Sequence, residues 1–116
     1  LDGLNKRNIN IKSKYKIVRS YMYSDDLIYW LLKIAVSANQ TCPIYNVGSD
    51  QAISLVKLAK IVGKIFNQPV KHKKINNNKI ESYVPSIDKA KKELNLKIKY
   101  NLKRSILLMK KYGYET

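Results

Sequence analysis

Arg19-Ser20-Tyr21-Met22-Tyr23-Ser24-Asp25-Asp26-Leu27 is the stretch on which the reading of this chain turns. An alternating run, Ile17 to Tyr23, carries one arginine forward, and two acids then stand where a helix begins. Asp25 or Asp26 can accept backbone N–H bonds at an N-cap, and either carboxylate meets the positive end of the helix dipole. Leu27, Ile28, Trp30, Leu31, Ile34, Ala35 and Val36 follow at helical spacing and nearly all the way round. That pattern predicts a buried helix from about Asp25 to Ala38. Arg19 shares its strand face with Tyr21 and Tyr23, which suits a polar cleft better than a dry core. A guanidinium held by a strand can grip a phosphate with its fork of donors. On residue type alone, however, a salt bridge to Asp25 or Asp26 comes first.

Upstream, Leu1 to Lys6 reads as the last turn of a helix, in a chain that does not begin with methionine and is expected to start inside a longer product. Ile9-Asn10-Ile11 alternates as a short strand, and a lysine-rich turn covers residues 12–16. Downstream, Ile44 to Val47 is a short buried strand closed by Gly48-Ser49-Asp50. Ser54 is the N-cap of a helix whose Leu55, Leu58, Ala59, Val62 and Phe66 face inward, with Lys57, Lys60 and Lys64 solvated. Val70 to Ile75 is an edge strand, Asn76 to Lys79 a loop, and Tyr83-Val84-Pro85 extended. Ile87, Ala90 and Leu94 mark a short helix started by Ser86 or Asp88. A last helix from about Leu102 to Tyr112 turns Leu102, Ile106 and Met109 inward and ends at Gly113 in the C′ position.

A chain of 116 residues, 45% of them hydrophobic, fits one small folded domain. The nearly apolar run from Leu27 to Val36 is too short to span a bilayer, and no signal peptide is visible, so the expected setting is cytoplasmic. One cysteine, Cys42, forms no internal disulfide, and the lone His72 has no partner at metal-ligand spacing, so no metal is expected. The net charge of +15 invites a nucleic-acid reading. Yet twenty of the basic residues are lysines, spread along the whole chain without clustered arginines or interleaved aromatics. Their abundance alongside Ile, Asn and Tyr also matches A/T-rich codons. A basic nucleic-acid-binding module is therefore the alternative, not the first reading.

Three blocks in one order resemble the C-terminal part of the extended short-chain dehydrogenase/reductase family, the NAD-dependent sugar-nucleotide epimerases and dehydratases. The first is Arg19 to Leu27, similar to the family's Arg-x-aromatic-x-Tyr/His-Val-x-Asp-Leu. The second is Tyr45-Asn46-Val47-Gly48-Ser49 with Ile53-Ser54-Leu55 at a helix start. The third, Tyr83 to Leu94, is similar to Tyr-x-x-Asp-x-Ser-Lys-Ala-x-x-Glu-Leu.

The resemblance implies a mixed α/β lobe of about four helices and three to five short strands, without the Rossmann core. Residues 1–116 would form the sugar-nucleotide-binding lobe of a larger enzyme of surface-polysaccharide or nucleotide-sugar biosynthesis. Carried over by position, Arg19 holds the substrate's diphosphate, and this lifts the phosphate role above the salt bridge. The backbone of Asn10 and Ile11 lies against the base and ribose, Ser54 adds a polar contact, and Tyr83 stands beside the diphosphate.

No glycine-rich dinucleotide fingerprint is present, and no Tyr-x-x-x-Lys pair precedes the Arg19 block. NAD or NADP is thus expected only in the intact enzyme, with none on this chain and no catalysis by it alone. The implied partners are a nucleotide-diphosphate sugar and the missing Rossmann domain, or a chain supplying it, with a homodimer left open. The chain also departs from the family where many members carry Arg-Pro-Gly-Asp. Here Lys74 to Lys79 holds no arginine, and Lys74 or Lys79 can offer charge but no fork.

Overall fold

The computed structural model describes residues 1–113, without the side chain of Asn77. Its elements run β1 (Ile9–Ile11), β2 (Tyr15–Arg19), α1 (Ser24–Val36), β3 (Ile53–Ser54), α2 (Leu55–Phe66), β4 (Val70–His72), β5 (Asn76–Tyr83), α3 (Asp88–Leu94) and α4 (Leu102–Tyr112). Four helices and five short strands among the described residues match the expected small α/β lobe. None of these helices is long and apolar enough to cross a membrane.

Two sheets share one covering helix. β1 pairs in parallel with β4, Ile9 opposite Val70. β2 is the centre of the other sheet, antiparallel to β3 and parallel to β5, so Arg19 lies between Ile53 and Tyr83. α2 packs across both sheets and against α4. Its sequence explains its bounds: the Ser54 hydroxyl accepts the Lys57 N–H at 3.3 Å, and Asn67 ends the helix in the left-handed region at φ 53°. Gly63 lets β4 approach, because a Cβ there would lie 2.7 Å from Val70 Cγ2. Lys57, Lys60 and Lys64 are exposed, as the helical stripe predicts.

The buried hydrophobic cluster contains no residue of α2 or of the strands. Trp30, Ile87, Ala90 and Leu96 are fully buried together, flanked by Met22, Ile34, Tyr45 and Val47. The buried indole donates to the Lys97 carbonyl at 3.2 Å, so its polar edge is satisfied.

Several expectations are corrected. α1 is not a buried helix: Leu27, Ile28, Leu31, Leu32 and Val36 are 39%, 56%, 50%, 62% and 79% exposed. Only Trp30 and Asp26 are buried on it, because no described element covers its remaining faces. Nor do the acids cap it. The N-cap is Tyr23, without a side-chain bond. Asp26, 1% exposed, instead accepts the amides of Lys99 at 3.1 Å and Tyr100 at 2.9 Å, tying α1 to the segment before α4.

β2 stops at Arg19, so Tyr21 and Tyr23 leave its face; Tyr23 packs on Tyr100, with centroids 4.9 Å apart. Residues 44–47 form no strand, having no neighbour with which to pair among the described residues. The asparagine run expected as a loop lies within β5, but only Asn76 of it pairs with β2, opposite Tyr15, and the register passes over residues 77–79. The ladder jumps there from Tyr15–Asn76 to Lys16–Ile80, a bulge-like irregularity with three extra residues on β5. α3 starts at N-cap Ile87 with no side-chain cap from Ser86 or Asp88. Met109 is 55% exposed, and Gly113 caps α4 at φ −73°, not in the left-handed region.

Candidate functional site

The end of the three-stranded sheet carries the only strand arginine among the described residues. Arg19 is the last residue of β2, and its Nη1 donates to the carbonyls of Val18 at 2.9 Å and Glu81 at 3.0 Å. Two backbone acceptors thereby fix the plane of the guanidinium. Its Nη2 lies 4.0 Å from Glu81 Oε2, with the arginine side chain 36% exposed. The salt bridge expected with Asp25 or Asp26 is therefore absent: Asp26 is spent on the Lys99 and Tyr100 amides, and the carboxylate near Arg19 is Glu81. A half-exposed guanidinium with a loosely held carboxylate can accept a stronger anion.

The other expected residues divide into two groups. Tyr83, 72% exposed, is Arg19's register partner on β5. Ser54 pairs with Val18, one step away on β3, and its hydroxyl is already an acceptor for the α2 cap. Ile11 is buried, and with Ser54, Lys16 and Leu55 it lines a small cavity of about 180 Å³. Asn10 stands apart: it is exposed, and its Nδ2 donates to the Asn8 carbonyl at 3.3 Å. β1 pairs only with β4 among the described residues, which leaves its other edge unpaired. Arg19 and Tyr83 thus meet on one face at the end of the sheet, while Ser54, paired with Val18, belongs to the other face and Asn10 to the other sheet.

Beside Ile53, the partner of Arg19 on β3, a groove of about 310 Å³ opens between Tyr21, Gln51, Lys57 and Lys103. A larger cavity, about 470 Å³, lies elsewhere, between the 1–4 turn, α2, α4 and residues 21–24. Its lining includes Leu4, Met22, Leu58, Val62, Phe66 and Ile106 and no Lys, Arg, Asp or Glu, so it offers nothing to an anion.

Glu81 and the pairing around it were not anticipated. Lys79 Nζ lies 3.7 Å from Glu81 Oε1 and 4.9 Å from the centroid of the Tyr15 ring. The signal was the alternation Lys79-Ile80-Glu81-Ser82-Tyr83, hidden by reading the asparagines before it as a loop. One Tyr-x-x-x-Lys spacing does occur, Tyr29 to Lys33, but on α1 after the Arg19 block. Both side chains are exposed there, and the Lys99 ammonium lies 4.5 Å from the Tyr29 ring centroid.

This chain carries no glycine-rich dinucleotide fingerprint. The glycines Gly3, Gly48, Gly63 and Gly113 form no Gly-x-Gly, and the β3–α2 junction, Ser54-Leu55, has none to let a pyrophosphate approach the backbone. Among the described residues no three His, Cys, Asp or Glu side chains gather to hold a metal.

No family model and no curated protein matches this sequence. Solved structures do. The UDP-glucose 4-epimerase of Thermotoga maritima, solved with UDP-glucose, is 22% identical with a TM-score of 0.79, over 98% of this chain and 37% of its own. The UDP-glucuronic acid 4-epimerase of Bacillus cereus, in complex with UDP-glucuronic acid and NAD, is 17% identical with a TM-score of 0.75, over 98% and 37%. The dTDP-glucose 4,6-dehydratase of Bacillus anthracis, in complex with NAD, is 14% identical with a TM-score of 0.74, again over 98% and 37%. This chain thus spans little more than a third of the length of each. It has the fold of the corresponding third of these UDP-sugar 4-epimerases and this dTDP-glucose 4,6-dehydratase.

Proposed function

We propose that residues 1–116 are the C-terminal, nucleotide-sugar-binding lobe of an NAD(P)-dependent sugar-nucleotide epimerase or dehydratase of surface-polysaccharide or nucleotide-sugar biosynthesis, working in the cytoplasm. Fold alone does not carry an activity. The observation that carries this one is Arg19, half-exposed at the end of β2 with its Nη1 anchored on two carbonyls and Tyr83 beside it. In this role Arg19 holds the diphosphate, Tyr83 flanks it, the Asn10–Ile11 backbone and its open edge lie against the nucleoside, and Ser54 adds a polar contact. Hydride transfer and proton abstraction belong to the cofactor domain, and this chain does neither alone. The uncovered face of α1 and the unpaired residues 44–47 give that domain a surface to pack against.

Titration with UDP-glucose, dTDP-glucose and a mixed-sequence oligonucleotide over a range of salt tests the assignment. The nucleotide sugars perturb the Arg19 and Tyr83 resonances, and Arg19→Ala weakens their binding by ~1.5–3 kcal/mol, as for a charge-assisted hydrogen bond. Tight oligonucleotide binding that falls steeply with salt and survives Arg19→Ala would instead establish the basic-module alternative.

A further inference from the structure

A carboxylate of this chain already sits where an anion would be held. Glu81 Oε2 lies 4.0 Å from Arg19 Nη2, and Glu81 Oε1 lies 3.7 Å from Lys79 Nζ, so the two cations flank one acid. All three side chains are open to solvent, at 36%, 42% and 62% exposure for Arg19, Glu81 and Lys79. Neither contact is at hydrogen-bond distance, and such pairs contribute little to stability. Arg19 is held in place independently, through Nη1 and its two carbonyls. Lys79 is the last of the three residues, 77–79, passed over between the Tyr15–Asn76 and Lys16–Ile80 pairs, and its ammonium rests 4.9 Å from the Tyr15 ring centroid. Bulges re-aim side chains in this way, and the aromatic face holds a cation without neutralising it.

We propose that Glu81 is a built-in counter-anion occupying the diphosphate position between Arg19 and Lys79, and that a nucleoside diphosphate displaces it and takes both cations. The proposal rests on the nucleotide-sugar reading above and adds two residues to it. Lys79 is the second phosphate cation in a chain that lacks a second arginine there. Glu81 is its internal competitor. A diphosphate carries more than one negative charge, so it wins the exchange, whereas a single carboxylate ligand gains nothing over Glu81. The exchange makes the site selective for multiply charged anions while keeping two cations from repelling each other when no ligand is bound.

Calorimetric titration of UDP into the full 116-residue chain tests this, using wild type, E81Q, K79Q, the K79Q/E81Q double variant and R19A. E81Q tightens UDP binding about threefold to fivefold, the range set by opening a half-exposed ion pair. K79Q weakens binding, and the gain from E81Q shrinks in the double variant, because part of the competition is for Lys79. An E81Q affinity equal to or weaker than wild type, with R19A still weakening binding, overturns the counter-anion and leaves the diphosphate role of Arg19 standing. Unchanged binding in R19A, or no UDP binding by any protein including wild type, overturns the nucleotide-sugar reading itself and the counter-anion with it.

Discussion

Asp26 shows how one buried acid can be recognised by its position and mistaken in its task. It is almost fully buried, yet it accepts three hydrogen bonds from the Lys99 and Tyr100 amides across more than seventy residues of chain. Asp26→Ala leaves those amides without acceptors, so it costs ~1–3 kcal/mol in urea unfolding. It also accelerates hydrogen exchange at Lys99 and Tyr100, whereas a simple cap would loosen only the first turn of α1. Asp50 makes a weaker and pH-dependent tie. Its hydrogen bond to Lys91 holds its carboxyl below the ordinary value. The unfolded chain then binds the proton more readily than the folded one, so the pair stabilises above about pH 4 and loses its effect as pH falls further. Asp50→Asn lowers the midpoint at neutral pH, and the difference from wild type closes in acid. With both side chains more than a third exposed, the effect stays below ~1 kcal/mol.

At the scale of elements, what was legible depended on whether the chain contains the partner. α2 read correctly, because its cap, lysine stripe and apolar face are answered by β1 to β4 and α4 of the same chain. α1 did not, because an all-round apolar helix signals burial, and nothing here says that the cover is absent. The same holds for residues 44–47, a strand pattern without a neighbour. The asparagines of β5 failed only in part, since pairing with Tyr15 of β2 overrode the weak strand propensity of Asn76 while the register passes over residues 77–79. Arg19 and Tyr83 were found through their blocks of sequence, but their register across β2 and β5, and Glu81 beside them, required the ladder. Substitution separates the two faces of α1. Leu31→Ser shifts unfolding of this chain by no more than ~0.5 kcal/mol, as for exposed sites. Trp30→Ala costs ~3–5 kcal/mol, as for a large core aromatic. Equal losses at both positions would restore the buried helix.

For the whole molecule, shape and surface point the same way as α1. The accessible surface is 8626 Å², against about 6,500 Å² expected for a monomer of this size. The radius of gyration is 16.8 Å, against about 13 Å for a compact chain, and the extents are 50 × 40 × 18 Å, a slab with one thin dimension. Large hydrophobics are part of it, with Ile28, Leu32 and Val36 of α1 and Ile44 more than half exposed, and exposed apolar surface drives association. The net charge of +15 opposes contact between copies. Salt screens that repulsion, with a Debye length of about 10 Å at 0.1 M, while leaving the apolar attraction in place. The isolated chain is therefore expected to bind a hydrophobic dye and to self-associate more as salt rises, measured by light scattering and sedimentation at fixed protein concentration. A nucleic-acid module held together by charge would respond in reverse, losing its partner as salt rises. A chain that stays monomeric at every salt concentration, binds no dye and unfolds at a midpoint independent of its concentration has no face awaiting a second domain, and the lobe assignment fails with it.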